Sequence, residues 1–275
     1  MKRPEGASFI CLLVIALFTV SCDDQRVDPA TDPSSALVES SATAATALSN
    51  LIYFENMEGA LPFSTAHDLD VGTWDYALQF VADTVFQGLK SARFEIHEDQ
   101  PLVATGKRSE VTIVKGSDGE VGKNAWYSFA VLFPSVGYEY DNERELINQW
   151  YQNGSPATSL RTRRDRMLLE SGNTPDTRRQ FDLGPIVKDR WHEFVMHFVH
   201  SFGDDGLIEI WIDGVKKLTL TGGNMYDDVL PKWKIGLYKS AFKYGTSDVF
   251  RRIIYFDNVK VGNEFSTYET MKPGL

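Results

Sequence analysis

Two runs of strict alternation, Phe194-Val-Met-His-Phe-Val-His200 and Leu207-Ile-Glu-Ile-Trp-Ile-Asp213, constrain this chain more than any other feature. A period of two puts successive side chains on opposite faces of an extended strand, so each run lays one apolar face on a core. Further strand signals fall at 51–54, 77–80, 92–96, 111–114, 126–133, 146–151, 159–162, 234–239 and 253–261. Turn clusters separate them, among them Asp118-Gly119, Asp204-Asp-Gly206, Asp213-Gly214 and Gly222-Gly-Asn224. No helical heptad, nucleotide-binding loop or internal repeat interrupts the series. Many short strands without intervening helices predict an all-β domain, a sandwich or jelly roll. Asp213-Gly214, between two strand signals, reads as an ordinary hairpin turn.

The N-terminal stretch reads differently. Lys2 and Arg3 precede an apolar run over 9–20 that ends at Ser21-Cys22, the pattern of a secretory signal. The run is too short to span a bilayer as a mature helix. Cys22-Asp-Asp24 resembles a bacterial lipoprotein site, which makes 1–21 the signal and Cys22 the lipidated residue; ordinary signal-peptidase cleavage is the alternative. Acyl chains partition into a bilayer at roughly 0.8 kcal/mol per buried CH₂, so Cys22 would anchor the protein without spanning the membrane. The expected address is the outer membrane or cell surface. Residues 22–49, rich in Ala, Ser, Thr, Asp and Pro without aromatic residues, read as a flexible tether. Residues 50–275 then form one domain. Its sequence contains no cysteine, because the chain's 2 are Cys11 and Cys22, so disulfides, a cysteine zinc cluster and a cysteine nucleophile are excluded there.

The formal net charge of −10 argues against nucleic acid as a partner. The charge is uneven, however. The tether carries Asp23, Asp24, Asp28, Asp32 and Glu39 against Arg26, while basic residues gather in Arg161-Thr-Arg-Arg-Asp-Arg166 and at Arg178-Arg179. Guanidinium forks bind carboxylates and sulfates bidentately. If Arg161 and Arg163 line a groove, it is locally positive; a solvated basic hairpin is the other reading of Arg164, Arg166, Arg178 and Arg179.

Three strand signals carry polar faces that a sandwich surface does not need. In Lys234-Ile-Gly-Leu-Tyr-Lys-Ser240, alternation puts Lys234, Gly236, Tyr238 and Ser240 on one face. A tyrosine with a reference pKa of roughly 10 shuttles protons poorly at neutral pH unless a nearby cation favours its phenolate. In Gly106-Lys-Arg-Ser-Glu-Val-Thr-Ile113, Arg108, Glu110 and Thr112 share a face, with Val111 and Ile113 toward the core. In Leu146-Ile-Asn-Gln-Trp-Tyr-Gln152, Gln149 and Tyr151 share one, and Trp150 faces the core.

The motifs Arg108-Ser-Glu110, Gln149-Trp-Tyr151 and Lys234-Ile-Gly-Leu-Tyr238 resemble the R-(S/T)-E, Q-x-H and K-x-G-x-Y strands of heparin-lyase-like polysaccharide lyases, relatives of glucuronan and alginate lyases. Tyr53-Phe-Glu-Asn56, Trp191-His192, Ile210-Trp-Ile-Asp-Gly214 and Tyr255-Phe-Asp-Asn-Val259 extend the resemblance, in the same order, over about 50–262. It implies a concanavalin-like jelly roll with a concave groove, no required cofactor, an acidic polysaccharide as partner, and β-elimination at a uronic acid. In that reaction the substrate carboxylate must be offset, here by Gln149 and Arg108. A base removes the C5 proton and an acid protonates the leaving O4. Tyr238 is the candidate acid, and Lys234 biases its ionisation or holds the carboxylate. Glu110 orients Arg108 or meets substrate directly. The departure is Tyr151, which stands where the family has His. Either Tyr151 is the base, or Tyr238 serves as both base and acid, or the site only binds glycan.

His97 is the leading substitute for that histidine; His192, His197 and His200 read as structural. Trp74, Trp126 and Trp233 are candidates for a sugar-stacking platform. Glu55 and Asp257 would suit a structural calcium ion, and Asp227-Asp228 is a second such pair, though acidic pairs are commonly turn residues. Glycoside hydrolysis needs two facing carboxylates about 5–9.5 Å apart, and the polar faces hold only Glu110, so it is disfavoured. A glycan-binding surface lipoprotein is the stronger rival.

Overall fold

A computed structural model describes residues 49–152 and 154–274. The signal segment, Cys22 and nearly all of the tether lie outside the described residues. Nearly all of its regular secondary structure is strand, in two antiparallel sheets. The first sheet contains β1 (Leu51–Glu55), β3 (Leu78–Val81), β4 (Ser91–His97), β6 (Asn124–Leu132), β11 (Trp191–Val199), β12 (Leu207–Ile212), β13 (Val215–Thr221) and β15 (Arg251–Gly262). Its order is β13-β12-β11-β6-β15-β4-β3, with β1 also on β15. The second contains β2 (Asp68–Asp70), β5 (Arg108–Lys115), β7 (Glu145–Gln152), β8 (Ser155–Arg163), β9 (Arg166–Ser171), β10 (Arg179–Pro185) and β14 (Lys232–Tyr238), in the order β10-β9-β8-β7-β14-β5-β2.

The all-β sandwich predicted above is therefore the fold. Alternation builds its core. Phe194, Met196 and Phe198 of β11 and Ile208, Ile210 and Ile212 of β12 enter one cluster with Trp150 of β7 and Trp233, Ile235 and Leu237 of β14. Asp213 and Gly214 take φ of 52° and 80°, the left-handed pair of a tight hairpin between β12 and β13.

The strand signals missed β2, β9 and β10, and gave β13 no range beyond the hairpin turn at Asp213-Gly214. Residues 179–185, where no strand signal falls, form β10, a mostly exposed edge strand with a glycine and a proline and no clean alternation. Trp233 is 0% exposed and packs its ring on Tyr127 and Phe129, so the core takes it and not a sugar platform.

Candidate active site

Parity against the core decides what the second sheet shows to solvent. Val111 and Ile113 are buried in the core, which turns Arg108, Glu110 and Thr112 of β5 outward. Trp233, Ile235 and Leu237 do the same for Lys232, Lys234 and Tyr238 of β14, and Trp150 for Gln149 and Tyr151 of β7. Registers then align polar side chains across all seven strands: Asp68, Thr112, Lys234, Gln149, Ser159, Glu170 and Gln180 are successive partners from β2 to β10. A neighbouring row pairs Arg108 with Tyr238, Leu146 and Arg161.

Two glycines let the backbone come close here. Gly236 has φ of 124°, and a Cβ on it would lie 2.3 Å from the Ser109 carbonyl oxygen. A Cβ on Gly106 would lie 2.3 Å from the Tyr238 ring, so the chain before β5 packs directly on that phenol.

The structure brings together Arg108, Glu110, Gln149, Tyr151, Lys234 and Tyr238. The Arg108 guanidinium lies 4.6 Å from the Tyr238 ring centre, and Lys234 Nζ 5.7 Å from that of Tyr151. Arg108 Nη1 is 3.3 Å from Glu110 Oε2 and 3.9 Å from Asp70 Oδ2. Gln149 Nε2 donates to Glu110 Oε1, and Lys234 Nζ donates to Asp70. Glu110 thus holds Arg108 and Gln149 in place. Burial pushes the Glu110 carboxyl up, while Lys234, Arg108 and the Gln149 hydrogen bond pull against that rise. Arg108 and Lys234 are balanced in charge by Glu110 and Asp70. Arg108 Nε and Thr112 Oγ1 are buried without a hydrogen-bond partner, and Glu110 Oε2 has the Arg108 guanidinium as its ion-pair partner. The two unpaired atoms leave hydrogen-bonding capacity on this strand face for a ligand's polar groups. A cavity of about 310 Å³ opens beside this patch, lined by Tyr151, Gln152, Asp227 and Lys232 among others.

Asp70 escaped the sequence reading. It sits on a three-residue strand and reaches Lys234 across 164 positions, so nothing local signals it.

Other candidates fall elsewhere. Phe94 and Ile96 are core residues, which places Glu95 and His97 on the outward face of the other sheet. There His97 Nε2 lies 2.7 Å from Glu95 Oε1 and the ring stacks on Tyr76 at 4.0 Å. His97 therefore does not replace the missing histidine. Trp74 stacks on the same Tyr76, and Trp126 stacks on His197, 4.3 Å away, beside Trp211 of the first sheet. Arg161 shares the outward face of the second sheet and contacts Ser159 Oγ at 3.0 Å. Arg163 is exposed at the end of β8 and donates to the Asn142 carbonyl.

Glu55 accepts from the backbone N–H groups of Met57 and Phe63, and Asp257 from those of Phe86, Gln87 and Asn258. Asp227 accepts from Val229 N and Gln152 in a turn. These carboxylates tie loops down. Among the described residues no three His, Cys, Asp or Glu side chains form a group that could hold a metal ion.

By sequence, no curated protein matches the chain. The structure is similar to that of an endo-β-1,4-glucuronan lyase from the fungus Trichoderma reesei, with a TM-score of 0.64 at 17% identity over 81% of this chain and 98% of that one. It also resembles the binding domain of botulinum neurotoxin serotype D, with a TM-score of 0.52 at 10% identity over 82% of this chain and 50% of that one. Both likenesses are of fold. The profile of the polysaccharide lyase family matches residues 59–260, a span that contains every residue of the patch from Asp70 to Tyr238, and the chain belongs to that family.

Proposed function

We propose that the protein cleaves a uronate-containing polysaccharide by β-elimination on the outward face of β5, β14 and β7. The observation that carries this is the convergence of two cations, two phenols and an amide on three adjoining strands, each phenol with a cation near its ring. The fold likeness to a glucuronan lyase supports a 1,4-linked uronan as the substrate.

The reaction is assigned as follows. The sugar carboxylate takes hydrogen bonds from Gln149 and Arg108, with Lys234 turning toward it from Asp70. Asp70 is only partly buried, so water takes over its exposed oxygen when Lys234 leaves. A base removes the C5 proton, the electron pair forms the C4–C5 double bond, the C4–O4 bond breaks, and Tyr238 gives its proton to O4. The base is Tyr151 or Tyr238 itself, and Tyr151→Phe separates the two. Loss of a true base lowers kcat by about 10²–10⁴-fold, whereas loss of a binding contact raises KM alone.

The product carries a C4–C5 double bond conjugated with its carboxylate, which absorbs ultraviolet light where the intact polymer does not. Rising absorbance with a uronan, abolished by Tyr238→Phe, is the expected result. Glycan binding without any rise would instead favour the non-catalytic reading, with Tyr151 marking the lost base. The address proposed with this function is the bacterial outer membrane or cell surface through lipidated Cys22, supported by the sequence of residues 1–24.

A further inference from the structure

Three arginines converge on one buried carboxylate beyond the catalytic patch. Arg161 Nε lies 2.5 Å and Arg144 Nη1 3.3 Å from Glu170 Oε2, and Arg178 Nη1 lies 3.7 Å from Glu170 Oε1. They come from separate places: Arg144 immediately precedes β7, Arg161 lies within β8, and Arg178 immediately precedes β10. Met167 and Leu169 of β9 enter the core, so Glu170 points outward, in the same row as Lys234 and Gln149.

A buried carboxylate needs one arginine for balance. Here three guanidiniums meet one carboxylate, so two positive charges are left over on the outward face of the second sheet. Burial above all, with Arg144 and Arg178 adding like charge, pulls the Arg161 guanidinium down to about 10 against the opposing pull of Glu170. The excess is also reachable: the Arg144 side chain is 48% exposed and that of Arg178 20%.

We propose that Arg144, Arg161 and Arg178 form a second anion subsite, which takes the carboxylate of a uronate further along the same polymer chain. The proposal rests on the reading of the patch as a uronan site and adds what that patch alone does not say: the substrate carries successive uronates. Neighbouring strands lie about 4.8 Å apart, so the three spacings from β14 to β9 span roughly 14 Å, which a 1,4-linked pyranose chain following the polar row covers in about two or three sugars. A polymer with isolated uronates among neutral sugars would leave the clamp empty. Glu170 is then a positioning residue that keeps three like charges together until the substrate carboxylate arrives.

The test is equilibrium binding by titration calorimetry, using the dimer and the hexamer of β-1,4-linked glucuronic acid and the cello-oligosaccharides of the same lengths as neutral probes. The variant is Arg144→Gln with Arg178→Gln, which keeps the buried Arg161–Glu170 pair; its unfolding midpoint reports that it folds, and parent and variant are both titrated with Tyr238→Phe added, so that the oligomers are bound and not cleaved. The Tyr238→Phe parent should bind the glucuronic hexamer at least tenfold more tightly than the dimer. That gain should shrink in the variant and with added salt, and be absent with the neutral probes. A variant that keeps the full gain, or a neutral hexamer that shows the same one, overturns the proposal. Elimination is read separately by absorbance. A wild type that eliminates while the variant keeps its gain refutes the subsite alone; one that binds with an arginine-dependent gain yet never eliminates refutes the lyase reading alone.

Discussion

Replacing Gly236 by alanine tests how the sheet positions the patch. The new Cβ would lie 2.3 Å from the Ser109 carbonyl oxygen and 2.8 Å from Glu110 Cα, both backbone atoms of β5. No flexible side chain is there to yield. Residue 236 also has φ of 124°, a region L-residues avoid, which costs about 1–3 kcal/mol. Overpacking against β5 adds about 1–3 kcal/mol. A sum near 4 kcal/mol lowers Tm by about 8–16 °C in a domain of this size, at roughly 2–4 °C per kcal/mol. The shift that relieves the clash moves β14 away from β5, and with it Lys234 and Tyr238 away from Arg108 and Glu110. A displacement of about 1 Å costs about 10²-fold in rate. Thermal unfolding followed by circular dichroism, and turnover measured well below the lowered Tm, read the two effects independently. A variant with the parental Tm refutes the steric argument. One with lowered Tm and parental turnover refutes the claim that Gly236 sets the catalytic geometry.

Three further variants probe the surroundings. Asp70→Asn, combined with Tyr238→Phe to prevent cleavage, frees Lys234 from its counter-charge and should tighten binding of a uronate oligomer roughly three- to tenfold by calorimetry; weaker binding would show that Asp70 serves only to position Lys234. Lys239 lies 2.9 Å from Asp141 and 2.5 Å from Glu145 with no exposure, so Lys239→Met leaves Arg252 alone with two buried carboxylates and should cost about 3–5 kcal/mol in denaturant unfolding. Burial pulls His200 down to about 3, so between that value and the unfolded 6.5 the unfolded chain holds more protons than the native one. Stability from this group is present above 6.5 and is lost as pH falls toward 3. His200→Gln should flatten that part of the stability profile relative to the parent, and an unchanged slope would contradict the assignment.

The sequence was most legible where one face of a strand meets the core. In β5, β7 and β14 the buried Val111, Ile113, Trp150 and Ile235 fix which neighbours point outward, so the polar sets at 108–112, 149–151 and 234–238 could be read before the sheet was seen. Trp233 was legible on the same ground, since its parity opposes Lys234, yet aromatic type drew it into the sugar-stacking candidates. Sheet membership was not legible. His97 alternates properly with Ile96, and only the pairing of β4 with β15 shows that its outward face belongs to the other sheet. Asp70 and the convergence on Glu170 were hidden for a related reason, although Arg161 was itself a candidate from the sequence: Asp70 meets Lys234, and Arg144, Arg161 and Arg178 meet Glu170, through cross-strand contacts that leave no local pattern.

The most direct test of the account is ultraviolet absorbance during incubation of the purified protein with a panel of uronate polymers, glucuronan first. The account requires a rise on at least one of them from the wild type and none from Tyr238→Phe, which should still bind the polymer. A wild type that binds uronan without any rise, or a Tyr238→Phe variant that eliminates at the parental rate, would contradict it.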